Sequence, residues 1–154
     1  MAVRIVALAL ALAGACASPA RATHIHVVLA VKPGPLRLTA DRPAAAVAPG
    51  FAVVRRVRAT VVDARGNGGG WTIDLSLRRP SAGARIVSIV IARGRLSTCS
   101  LPEDLAHAPA VLTGARPTQI VTARPGTGMG RIDLTVTIGA DQAGIDPVLR
   151  IRPL

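Results

Sequence analysis

Val61 to Leu77 reads VVDARGNGGGWTIDLSL, and its pattern decides the fold class. Trp71, Ile73, Leu75 and Leu77 alternate with Thr72, Asp74 and Ser76, the period-two signature of a strand with one buried face. Before them, Asp63 to Gly70 strings together Asp, Asn and Gly, residues that tolerate positive φ and build turns. Val61 and Val62 close an earlier apolar run, so the stretch is expected to form a hairpin with Trp71 entering the core first. Asp63 is expected to accept backbone N–H groups in an Asx-type turn, with Arg65 pairing locally. Gly66 and Gly70 are expected at positive φ. A sugar-stacking role for Trp71 is the alternative; its alternation with Ile73, Leu75 and Leu77 favours the core.

Outward from this stretch the chain repeats the same grammar. Leu36–Thr39, Phe51–Val62, Ile86–Ile91, Val111–Leu112, Gln119–Thr122, Ile132–Ile138 and Val148–Arg152 read as strands, the run at 86–91 as one buried on nearly both faces. Prolines and glycines mark 40–50 as a loop and Arg124–Gly130 (RPGTGMG) as a turn. Ser100–Glu103 has capping-box spacing, predicting a single helical turn over 104–106. Many short strands and no sustained helical period predict an all-β chain, a single β-sandwich of short antiparallel strands over 36–154. Trp71, Ile73, Leu75, Ile132, Leu134 and Val136 are its expected shared interior.

The N-terminus carries a different signal. Arg4, the apolar run Ile5–Ala15 and Ala20–Arg21–Ala22 match the three regions of a secretory signal peptide, expected as a helix over 1–22 that is removed. The run is too short to span a bilayer, which takes about 20 residues, and no later segment is a stop-transfer helix. Residues 23–35 are then an N-terminal strand and linker. Ala13–Gly14–Ala15–Cys16 loosely matches a lipobox, offering acylation at Cys16 as a second processing route. Cleavage at 22 leaves Cys99 alone, so no internal disulfide is expected.

Charge points to the partner class. The 154 residues hold 19 basic side chains, 18 of them Arg, against 8 acidic ones. A secreted Arg-rich domain meets anionic wall or envelope polymers, and the Arg fork suits phosphate; a merely solubilising surface is the plain alternative. Arg56 and Arg58, two apart on one strand, share a face opposite to Arg55. With Arg78 they are the candidate cationic patch. Nucleic acid is disfavoured, because one Phe, one Trp and no Tyr leave bases little to stack on.

Chemistry lacks parts. Ser97, Cys99 and Ser100 have no His or carboxylate at a recognised spacing, and Glu103–Asp104 are adjacent and diverge. Gly68–Gly70 lacks the Lys and helix of a phosphate loop. The expectation is a non-enzyme without cofactor. His24 and His26, beside the amine that cleavage would free, offer an alternative copper site; no third ligand is nearby, and no metal is expected. His107 falls in a loop.

Asp63–Ala64–Arg65–Gly66 followed by Gly70–Trp71–Thr72, then Gly126–Thr127–Gly128–Met129–Gly130 and Ala143–Gly144, resembles in order the WxL-type surface domain of Gram-positive and related bacteria. The resemblance spans Leu36 to Leu154 and places Asp63, Arg65, Gly66, Gly70, Trp71, Gly128 and Gly130 in the family's structural motif. Its first Trp-x-Leu is Trp71–Thr72–Ile73 here. The second is absent, since Val148–Ile151 carries no Trp, and Ile145 replaces a late aromatic. The resemblance implies noncovalent association with the cell wall.

Overall fold

A computed structural model describes residues 33–154 apart from 80, 96–99, 105–109 and 113–115. The expected leader with Cys16, residues 23–32 of the expected N-terminal strand and linker with His24 and His26, Cys99 and His107 lie outside the described residues.

Ten strands form in chain order: β1 (Leu36–Ala40), β2 (Ala44–Ala46), β3 (Val53–Asp63), β4 (Trp71–Leu77), β5 (Arg85–Arg93), β6 (Glu103–Asp104), β7 (Ala110–Val111), β8 (Thr118–Ala123), β9 (Gly130–Ala140) and β10 (Pro147–Pro153). One sheet runs β1-β3-β9-β5-β7, with β2 also on β3; the other runs β10-β4-β8-β6. Every pairing is antiparallel. The two sheets pack face to face as a β-sandwich.

Val61–Leu77 is therefore not a hairpin. β3 pairs with β1, β2 and β9, whereas β4 lies between β10 and β8 in the opposite sheet. Alternation reports which face is buried, and that face is satisfied equally by pairing side by side or by packing across. The connection is also far longer than the two-residue turns that favour hairpins. It carries the chain across the sandwich instead.

The core is built from the inward rows. Val57, Ala59 and Val61 of β3, Ile132, Leu134, Val136 and Ile138 of β9, and Trp71, Ile73, Leu75 and Leu77 of β4 are all buried. Trp71 is the largest of them, fully enclosed, and its indole Nε1–H donates to the Gly128 carbonyl at 3.1 Å, so the one polar atom of the ring is satisfied. β3 and β9 pair along their full length, Val53 with Ala140 through to Asp63 with Gly130. This long ladder is the backbone of the larger sheet.

Several local expectations are corrected. Ala44–Ala46 within the expected loop at 40–50 adds to the edge of β3 opposite Val54–Arg56, since three Ala fit an edge and the flanking prolines lie outside the pairing. Glu103–Asp104 is a strand paired with Thr122 and Val121; an open ladder on β8 outcompetes a one-turn helix. β5 is buried on one face only, with Ile86 enclosed and Val90 56% exposed. Its register shifts between Ile86 and Ser88, a bulge that breaks the alternation a sequence reader relies on. Thr72 and Asp74 point away from the core row yet are buried, and Asp74 holds Arg152 Nε at 2.7 Å.

Two glycines separate conformational from packing cost. Gly128 has φ 66°, and a Cβ there would sit 2.6 Å from Ala123 Cβ and 3.0 Å from the Trp71 ring. Gly66 has φ 71° with nothing within 4 Å. Gly128→Ala should destabilise by at least about 2 kcal/mol, strain and overpacking together, with Trp71 emission shifted to the red. Gly66→Ala should cost about 1 kcal/mol and leave the emission unchanged. Equal effects in urea unfolding would show that Trp71 is not packed on Gly128.

Candidate anion-binding face and the crossover clasp

The residues singled out in the sequence fall into two places. Asp63, Arg65, Gly66, Gly70, Trp71, Gly128 and Gly130 converge on the crossover. Asp63, the last residue of β3, accepts the Arg65 backbone N–H at 3.1 Å on Oδ1, the expected Asx geometry. The Arg65 guanidinium donates to both carboxylate oxygens, Nε to Oδ1 and Nη2 to Oδ2, each at 2.9 Å. Nη2 also donates to the Gly70 carbonyl at 2.6 Å. One side chain thus ties the end of β3 to the start of β4. The second glycine turn closes over it: Gly126 N–H donates to the Gly68 carbonyl at 2.8 Å, and Gly130 pairs with Asp63 in the ladder. The motif is a structural clasp.

The Asp63 side chain is 1% exposed and that of Arg65 15%. Hydrogen bonds from Arg65 hold the Asp63 carboxyl below its ordinary range, with burial opposing them. The same pairing raises Arg65. A carboxyl lowered in the fold stabilises above its unfolded pKa, about 3.9, and that contribution fades as pH falls through the folded value. Stability should accordingly drop on acidification below about pH 4, and Asp63→Asn should flatten that limb. Arg65→Ala should cost about 3 kcal/mol at neutral pH by leaving a buried carboxylate unpaired. An acid limb identical in Asp63→Asn would remove the clasp from the explanation.

Arg56 and Arg58 lie elsewhere, on the outer face of the larger sheet. The inward row of β3 is fixed by Val57, Ala59 and Val61, so 56, 58 and 60 must point out. Arg56 stands opposite Thr137 and Arg58 opposite Thr135 on β9; beyond them on β5 come Ser88 and Val90. Three shallow depressions share this face, of about 440, 260 and 260 Å³, and Arg58 lines all three. Arg56 lines two, and Arg42 joins it at the β2 side. The ends are marked by side chains laid over glycines. The Phe51 ring covers Gly139, and the Arg131 stem covers Gly94.

Partners decide which of these cations are available. Among the described residues Arg65, Arg78, Arg124, Arg131 and Arg152 make ion pairs, while Arg42, Arg56 and Arg58 make none. Of the acids on the face, Asp133 accepts from Thr60 Oγ1 at 2.9 Å and Arg131 Nε at 3.1 Å. Asp41, at the rim, is joined through its backbone N–H to the Arg58 carbonyl at 2.8 Å. Arg55 points inward between Ala45 and Ile138, half-buried beside the short edge strand.

Arg78 does not belong to this patch. It follows β4 in the smaller sheet, bonded to Asp146 through its backbone and, at 3.5 Å, through its side chain, and it lines none of the depressions. Its assignment to the patch assumed that β3 and β4 share a sheet. What the sequence did not disclose is the neighbour set: Thr39, Ser88, Thr135 and Thr137 reach this face only through the β1·β3, β3·β9 and β5·β9 registers. Among the described residues no group of three His, Cys, Asp or Glu could hold a metal ion, and no helix is long and apolar enough to cross a membrane. No family model, curated protein or solved structure matches the chain.

Proposed function

We propose that the protein is a secreted, non-catalytic surface module, held noncovalently on anionic polymer of the cell wall or envelope by the outer face of its larger sheet. The observation that carries this reading is the pair Arg56 and Arg58, exposed and without acid partners among the described residues, at the meeting point of three shallow depressions. The buried row of β3 fixes the face from which both side chains project. The convergence of the resembling residues into one clasp supports reading the chain as a divergent WxL-type domain. In that reading the clasp builds the scaffold and the Arg-bearing face does the binding.

Purified envelope should retain the protein at 0.1 M salt and release it at 1 M, as the Debye length falls from about 10 to about 3 Å. Arg56→Gln and Arg58→Gln should each weaken retention while changing stability by no more than about 0.5 kcal/mol, since neither makes a contact the fold needs. Retention indifferent to salt and to both variants would point to acylation at Cys16 or apolar docking. Protein found free in the medium would defeat surface attachment altogether.

A further inference from the structure

The outer face is itself a short repeat. Two successive outward rows present the same pair, a guanidinium on β3 and a Thr on β9: Arg56 with Thr137, then Arg58 with Thr135. Outward positions two apart on a strand are separated by about 6.7 Å. Arg56 and Arg58 therefore project two guanidinium forks from backbone positions set at this pitch along β3. Thr137 is buried and forms the floor, while Thr135 and Ser88 line the same depression at its side.

Each guanidinium can donate two parallel N–H bonds to the two free oxygens of a phosphodiester. A linear polyol phosphate carries such groups within its backbone, separated by a few carbons, at a distance of the same order as the pitch. Its intervening hydroxyls are the natural partners of Thr135 and Ser88. A uronic acid chain hangs each carboxylate from a rigid ring and spaces its charges by whole sugars. Single-stranded nucleic acid has comparable phosphate spacing, but no aromatic side chain lines these rows and the Phe51 ring is laid on Gly139. Successive bases would have at most that one ring to stack on.

Resting on the envelope-binding reading, we infer that this face recognises a linear polyol phosphate running along β3, with Arg56 and Arg58 each forking one of two successive phosphodiesters. The full chain is titrated with a glycerol phosphate oligomer, an oligogalacturonate and an oligothymidylate of equal charge. The glycerol phosphate oligomer should bind at least about tenfold more tightly than either, the margin of one charge-assisted contact. Arg56→Lys and Arg58→Lys, which keep the charge and lose the fork, should each weaken it by about tenfold. Unchanged Trp71 emission verifies that the variants are folded. Equal affinity for all three probes, preference for the uronate or the nucleotide, or indifference to both Lys variants would overturn the inference. Should envelope retention depend on Arg56 and Arg58 while the glycerol phosphate oligomer fails to compete, the envelope reading stands and this one falls. Absence of any retention removes the reading beneath it.

Discussion

The crossing from β3 to β4 is the constraint on which the rest of the molecule depends. Within residues 64–70 the chain must leave one sheet, turn, and enter the facing one with Trp71 already in place. Backbone polar groups at such a crossing need partners, and a bulky ring must be seated without a void. Arg65 meets the first demand by bonding Asp63 and the Gly70 carbonyl at once. Gly128 meets the second, giving Trp71 both a flat surface and an acceptor for its indole N–H. Glycine is required at Gly70 and Gly128 for two reasons together, a positive φ and the absence of room for a Cβ.

From that crossing follows the division of labour between the faces of β3. Its inward residues are locked by β9 on one side and by the β4 row across the core. Its outward residues are consequently held in direction without contributing to the core. Arg56 and Arg58 stand on this rigid element, where a site keeps better geometry than on a loop. Four of the five ion pairs seen among the described residues lie away from this face and the fifth, Arg131 with Asp133, lies on it beside Arg58; none of them engages Arg56 or Arg58. An overall basic composition says only that anions are attracted; we assign that attraction to two positions on β3.

How much of this was legible in the sequence depended on whether the information was local. The buried row Trp71–Ile73–Leu75–Leu77, the alternation of β9 and the Asx turn at Asp63 are properties of neighbours along the chain, and residue type alone conveys them. The partner of a strand is not such a property. β3 and β4 look like a hairpin because both have one apolar face, and only competition from β9, β10 and β8 decides otherwise. The same gap placed Arg78 beside Arg58 and left Thr135 and Thr137 without a role. The bulge at Ile86–Ser88 and the edge strand Ala44–Ala46 were hidden for a related reason: each is defined by a neighbouring ladder.

Localisation of the cationic function is the central claim, and the side-chain Nε–Hε resonances of arginine test it most directly. During titration with purified wall polymer, the signals of Arg56 and Arg58 should move together and saturate at one stoichiometry, while that of Arg65, engaged by Asp63, stays in place. Uniform, unsaturating shifts across all arginines, or saturation at Arg78 and the smaller sheet instead, would contradict the account.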